Sequence, residues 1–299
     1  MFAYRLLQEA DTPALEYFLA PHTPWAYFMR SNIRRGGVDY HGQEYQADYF
    51  GVWRDGELCG LLAHSWIGSV QCFLPEPAAL APLIALWSTQ LMRVPRIIEC
   101  LLGPAAHVTA LEQACGWRAA DFRPQYANEQ LFALELTGML KPKLLELDDV
   151  MVRRAEHEDA TTLSQWRFDF NIEAVGAEPS TALLEKSTAE VARRIAERDL
   201  YVLTRGDVLK SFCGAGGYLP DWKIIGPVWT PPDERGKNYG RAVTAGALAL
   251  LRREGASHGV LFAGNPRAKR AYEAIGFTAR GDWKLSFFKQ PVIQLPLTA

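Results

Sequence analysis

Little in this 299-residue sequence is equipped to hold a metal or a disulfide framework. The five cysteines, Cys59, Cys72, Cys100, Cys115 and Cys213, are odd in number, far apart and set among apolar neighbours. No pair has metal-ligand spacing, and the six histidines are equally dispersed. Small buried residues in a reducing compartment account for such cysteines. A surplus of positive charge is missing too. Against 34 Asp and Glu stand 32 Lys and Arg, scattered through both halves, for a formal net charge of −2. That argues against a general nucleic-acid binder, which needs a basic field. Long apolar runs are also lacking: charge or proline breaks each one well short of a membrane span, and "MFAYRLLQEAD" has no apolar core of a secretory signal. The expectation is a cytoplasmic protein with no metal, no membrane and no nucleic-acid partner.

What is present is apolar mass. Hydrophobic residues make up 48% and charged residues 22%, enough for real cores, and the length suits two domains. The chain also repeats itself weakly. "YFGVWRDGELCGLLAH" (49–64) and "LYVLTRGDVLKSFCGAGGY" (200–218) both read as hairpins, with Asp55-Gly56-Glu57 opposite Arg205-Gly206-Asp207. "VTALEQACGW" (108–117) and "RAYEAIGF" (270–277) both run as a short helix into an apolar-Gly-aromatic stop. Two such matches in the same order suggest a duplicated domain. Boundaries follow: a first domain over 1–138, a linker over 139–149 at "GMLKPKLL", a second domain over 150–290 and a tail over 291–299.

The second half predicts strand, two helices, three strands, helix, strand, helix and strand, with "DWKLSFF" closing the domain: an α/β mixed sheet flanked by helices. Its most informative stretch is "VWTPPDERGKNYGRA". Pro231-Pro232 stop the sheet pairing, and residues 235–241 wrap into a helix N-terminus. The free N–H groups of a first helical turn and the positive end of the helix form an anion site, and Arg235, Lys237 and Arg241 add charge. A diphosphate suits such a turn; a capped helix with solvated basic residues is the plainer alternative. Downstream, "NPRAKRAYEAIGF" (265–277) sets an asparagine after a buried strand, then a tyrosine, then Gly-Phe.

Together these two stretches resemble the acetyl-CoA motifs of the GCN5-related N-acetyltransferases, the GNAT superfamily, in spacing and order across roughly 150–288. The resemblance implies tandem GNAT-like domains and acetyl-CoA as co-substrate, with no metal. It implies that Val228, Trp229 and Thr230 offer backbone groups to the acetyl carbonyl and pantetheine arm. Arg235, Gly236, Lys237, Asn238, Tyr239, Gly240 and Arg241 would cradle the pyrophosphate. Asn265 and Ala268 would line the cofactor's path, and Tyr272 would give a proton to the departing thiolate. Asn238 departs from the family pattern, replacing the central glycine of the turn. Asparagine is the side chain most tolerant of positive φ, so the turn survives in weakened form.

The first half resembles the degenerate N-terminal copies of tandem GNAT proteins. After "GSVQCFLPE" comes "PAALAPLIALW", without glycine or basic residue, and Glu112 and Ala105 stand opposite Tyr272 and Asn265. Its aromatics Trp25, Tyr27 and Phe28 read as core or as ligand lining. The acceptor is a small-molecule amine or a lysine or N-terminal amine. Asp221, Glu173 and Glu178 are the candidate bases, with Tyr218, Trp222, Trp166 and Trp229 as candidate pocket walls. The expected function is acetyl-CoA-dependent N-acetylation by a monomer or homodimer. The rivals are a CoA-sensing binding protein without turnover and a tandem GNAT-fold aminoacyl-transferase.

Overall fold

The computed structural model describes residues 1–75, 80–123 and 129–295. The chain divides into two compact units, one of residues 1–131 with 280–299, the other of residues 132–279. In chain order the first unit begins with β1 (Phe2–Leu6), α1 (Thr12–Leu19), α2 (Thr23–Gly36), β2 (Ala47–Arg54), β3 (Glu57–Ser65) and β4 (Ser69–Phe73). It continues with α3 (Leu80–Arg93), β5 (Ile98–Pro104) and α4 (Ala105–Ala114). Of "PAALAPLIALW", Pro77 to Ala79 lie outside the described residues, and the remainder is the start of α3.

The second unit takes β6 (Glu129–Glu135) from Phe132 onward, then β7 (Val150–Arg154), α5 (Ala160–Val175), α6 (Thr181–Ala196), β8 (Leu200–Arg205) and β9 (Val208–Gly216). Then come β10 (Trp222–Trp229), α7 (Tyr239–Arg253), β11 (His258–Ala263) and α8 (Pro266–Glu273). The last strand, β12 (Thr278–Val292), runs into the first unit. The strand order is β1-β2-β3-β4-β5-β12 in the first unit and β6-β11-β10-β9-β8-β7 in the second. Both sheets are mixed: β4–β5 in the first and β10–β11 in the second are parallel pairs among antiparallel ones.

The expected mixed α/β architecture is present, but the last strand is elsewhere than expected. "DWKLSFF" does not close the second unit's sheet. It pairs antiparallel with β5, from Trp283 opposite Pro104 to Phe287 opposite Cys100. Apolar burial explains the placement. Trp283 is buried and stacks on Trp25 at 6.4 Å, while Phe288 is buried between Trp117 at 4.9 Å and Phe122 at 4.6 Å. Gly281 makes room for it: a Cβ there would lie 2.7 Å from Trp25 Cη2. The edge position in the second unit is filled by β6 instead. Trp25 and Tyr27 are thus packing residues, Tyr27 being fully buried.

The stretch read as a linker is also packed. Leu140 N donates to Ile275 O at 3.0 Å, and Met139, Leu144 and Leu145 pack on the second unit's core. Lys143–Glu146 form a 3-10 turn.

The duplication is visible residue by residue. The β2–β3 hairpin turns at Asp55-Gly56 and the β8–β9 hairpin at Gly206-Asp207, an offset of 206 − 55 = 151, one more than the sequence match gave. Each hairpin has a bulge at the same place, between Val52 and Trp53 and between Leu203 and Thr204. Beyond α4 and α8 the stops are also the same: Trp117 N donates to Glu112 O at 2.9 Å, and Phe277 N donates to Tyr272 O at 3.1 Å. The 160-residue offset that sets Glu112 opposite Tyr272 therefore holds in space (272 − 112 = 277 − 117).

One feature of the second sheet shapes the site. β10 pairs with β11 only from Trp222–His258 to Ile224–Val260, after which β10 runs on to Trp229 and β11 to Ala263. Between Ile225 and Val228 the β9–β10 register slips by one residue. Pro227 has no N–H to give the ladder and accommodates the extra residue as a bulge.

Candidate active site

The turn behind the splayed strand has the backbone that its sequence requires. Asn238, the N-cap of α7, holds φ 67° and ψ 14°, and Gly236 holds φ 82°. A Cβ on Gly236 would meet nothing within 4 Å, so that glycine is needed for its φ and not for space. The Asn238 side chain makes no cap hydrogen bond, and the first internal bond of α7 is Ala242 N to Asn238 O at 3.1 Å. The amides of Tyr239, Gly240 and Arg241 precede that bond and are first-turn donors for an anion. A Cβ on Gly240 would lie 3.4 Å from Thr230 Oγ1, so the helix begins hard against the end of β10.

The basic side chains of the turn are not equivalent. Arg235 donates to Thr230 O at 3.0 Å, pairs with both oxygens of Glu173 at 2.7 and 2.9 Å, and lies 4.6 Å over the Trp229 ring. Lys237 pairs with Glu234 at 2.8 Å, and Glu234 also takes Lys210 at 2.6 Å. Those two ammonium groups, Lys210 first, hold the Glu234 carboxyl below its usual range. Arg241 differs: its Nε is buried without a hydrogen-bond partner. Arg241 is half-buried and makes no ion pair among the described residues, so its charge beside a helix N-terminus is available to an anionic ligand. The Tyr239 ring is buried in the core and its hydroxyl supports Arg205, so only its amide serves the turn.

On the other side of the splay, Asn265 caps α8, its side chain accepting from Arg267 N at 2.8 Å. Ala268 and Tyr272 are half-buried against the core cluster that includes Val228 and Cys213. The Tyr272 phenol has a raised pKa, first from burial and then from the nearby Cys213 thiol. Burial pushes the Cys213 thiol itself up to about 12. Cys213 is the ladder partner of Val228, so phenol, thiol and Val228 meet where the strands have parted.

Two supporting residues escaped the sequence. Ser211, a serine among apolar residues of β9, donates from Oγ to Trp229 O at 2.7 Å and lies 2.9 Å from Thr230 Oγ1, fixing the end of β10. Asp199, just before β8, is mostly buried; burial raises its pKa, and its Oδ1 has no partner. The expected bases are dispersed. Glu173 spends both oxygens on Arg235, and Glu178 is exposed between α5 and α6. Asp221 stands at the closed end of the splay, where its carbonyl accepts from Ser257 N and His258 N; Val228 is seven positions further on, about 20 Å along the strand. The expected pocket walls are mostly core. Trp166 stacks on Phe212, Phe170 packs on Trp229, and Trp222 stacks on His258 at 4.3 Å.

In the first unit the β4–β5 ladder is also three pairs long, from Ser69–Cys100 to Gln71–Leu102, but the space beyond it is occupied: Leu74 N donates to His107 Nδ1 at 3.1 Å just past β4, and a Cβ on Gly103 would lie 2.5 Å from Cys72 O. Glu112 is buried, accepting from Ser286 Oγ at 2.6 Å and from Lys284. Among the described residues, no group of three or more His, Cys, Asp and Glu is placed to hold a metal, and no helix is long and apolar enough to cross a membrane.

Residues 161–277 match the model of the acetyltransferase (GNAT) family. No curated protein sequence matches the chain. Among solved structures, it is similar to a GCN5-related N-acetyltransferase from Sphaerobacter thermophilus, with 16% identity and TM-score 0.58 over 99% of this chain and 98% of that one. It is similar to a GNAT-family acetyltransferase from Colwellia psychrerythraea, with 17% identity and TM-score 0.52 over 96% and 100%. It is also similar to a tandem GNAT protein from the clavulanic acid biosynthesis pathway, with 14% identity and TM-score 0.54 over 96% and 98%. Residues 161–277 thus carry the family match, and the whole chain shares the GNAT fold of these structures, a tandem member among them.

Proposed function

We propose that the second unit is a cytoplasmic acetyl-CoA-dependent N-acetyltransferase acting on an amine, and that the first unit is a silent copy. The observation that carries this reading is the convergence of Tyr272, Cys213 and Val228 at the open end of the β10–β11 splay, beside a helix N-terminus with unclaimed donors. The donor supplies an acetyl thioester. Val228, Trp229 and Thr230 line the strand end along which its carbonyl and pantetheine arm are held. The amides of Tyr239, Gly240 and Arg241, with the Arg241 guanidinium, hold the pyrophosphate. A phenol is protonated at neutral pH and burial raises its pKa further, so Tyr272 Oη has a proton for the sulfur as the carbon–sulfur bond breaks. The amine nitrogen that takes the acetyl carbon releases its own proton to water, and the phenolate regains one from water.

The test is release of free thiol from acetyl-CoA by the purified chain, screened against amino acids, polyamines, aminosugars, aminoglycosides and lysine peptides. Amine-dependent release is the expected result. Acetyl-CoA binding with no release by any amine would replace the enzyme with a binding protein. Asn238 supplies a second check. A non-glycine residue in the left-handed region stores up to about 1–2 kcal/mol, of which asparagine pays only part. The free chain already holds Asn238 at φ 67°, so this strain belongs to the fold: Asn238→Gly is expected to leave acetyl-CoA affinity within about twofold, read by calorimetry, and to change stability by no more than about 1 kcal/mol, read by denaturant unfolding.

A further inference from the structure

The stretch "FCGAGGY" (212–218) puts Gly214 and Gly216 inside β9, where a packed strand ordinarily carries side chains. Neither holds a positive φ, so space and not backbone conformation calls for them. By alternation both lie on the face of Phe212, which packs with Leu163 of α5 and Val191 of α6. A Cβ on Gly214 would lie 2.5 Å from Gly226 O and 2.9 Å from Arg194 Nη1. The carbonyl of the β10 bulge and a guanidinium thus share the space that a side chain would fill. A Cβ on Gly216 would lie 2.5 Å from Asp199 Cβ, and Asp199 Oδ2 is 3.5 Å from Arg194 Nη1. Each glycine makes room for one neighbour of Arg194.

Arg194 is also held from behind. Its Nε donates to Glu190 Oε1 at 3.1 Å, and Arg167 Nε of α5 donates to Glu190 Oε2 at 2.9 Å. Burial raises the Glu190 carboxyl, but the two guanidinium groups, Arg167 first, outweigh it and hold the pKa below the usual range. Both arginines, with Phe212 and Pro227, line a narrow crevice between the helices and the bulge. A carbonyl oxygen is the negative end of the peptide dipole, and a mostly buried cation beside it is screened little by salt.

We infer that Arg194 is a positioning residue for acyl transfer: through the Gly226 carbonyl it fixes the bulge, and the bulge sets the course of Val228 to Thr230. The inference rests on the proposed function, which assigns that strand end to the thioester carbonyl and the pantetheine arm. Arg194 acts through the backbone, where a displacement of about 1 Å can cost about a hundredfold in rate.

The experiment compares the full chain with Arg194→Met and with Gly214→Ala, whose methyl group would take the shared space without removing a charge. Calorimetry gives the affinity for CoA, and infrared difference spectroscopy gives the carbonyl band of bound acetyl-CoA labelled with carbon-13 at that carbonyl. In the full chain the band is expected below that of free acetyl-CoA, because donors at the strand end polarise the carbonyl. Each variant is expected to lose at least about half of that shift while binding CoA within about twofold of the full chain, since the pyrophosphate is held elsewhere. CoA has no acetyl group, so a general loosening of the fold would weaken CoA as well. An unchanged band in either variant overturns the inference and leaves the acetyl-CoA site standing. A variant that unfolds, or loses CoA together with the shift, also overturns it, by making Arg194 or Gly214 a residue of the fold alone. A full chain that binds no acetyl-CoA, or leaves the band where it is in solution, would overturn the proposed function and the inference with it.

Discussion

Tyr272→Phe is expected to lower turnover by about a hundredfold or more, with acetyl-CoA affinity held within about twofold. The substitution removes only the phenolic hydroxyl. The ring keeps its place against the core and its edge contact with Phe277 at 5.9 Å, so packing gives no reason for a loss of binding. A thiolate leaves poorly unless it is protonated or stabilised, and the Tyr272 phenol packs in the cluster that holds Cys213 and Val228, at the strand end assigned to the thioester. Steady-state turnover, with affinity from titration, separates the two effects. Equal losses in both would assign Tyr272 a structural role.

The second large effect concerns the anion site, and the structure ranks its cations. Arg241→Ala is expected to weaken acetyl-CoA binding at least about tenfold, and Arg241→Ala with Lys237→Ala about a hundredfold. Arg241 makes no hydrogen bond or ion pair among the described residues, so its guanidinium meets a phosphate without giving up a partner. Lys237 must share itself with Glu234 and contributes less. Arg235, with its guanidinium committed to Thr230 O and Glu173, positions the turn and supports the Trp229 ring. Unchanged affinity in Arg241→Ala would remove the pyrophosphate from this turn.

Much of this was legible in the sequence because it is local. Helical spacing marks α5, α6 and α7, and Gly-Asp or Asp-Gly marks both hairpins. The left-handed backbone of Asn238 follows from its place in a glycine-type turn. The pairing of Glu112 with Tyr272 followed from two matched helix stops. What escaped is non-local. Alternation shows that "DWKLSFF" is a half-buried strand but not whose sheet it joins; the Trp25 stack and the space at Gly281 decide that. Asp221 reads as a carboxylate near a strand, yet the strands part only after Ile224, leaving it at the closed end. The capture of Arg235 by Glu173 spans 62 residues and leaves no trace in either local pattern. Pro227, inside an otherwise ordinary strand, was the one local sign of the bulge before Val228.

The central claim is that one repeat binds the acyl donor and the other has lost the means. The first unit has a bond between Leu74 and His107 just past β4, close packing at Gly103, and a buried Glu112 tied to Lys284 and Ser286. Calorimetric titration of the full chain with acetyl-CoA tests this most directly. One equivalent per chain is the predicted result; two equivalents, or none, would contradict it.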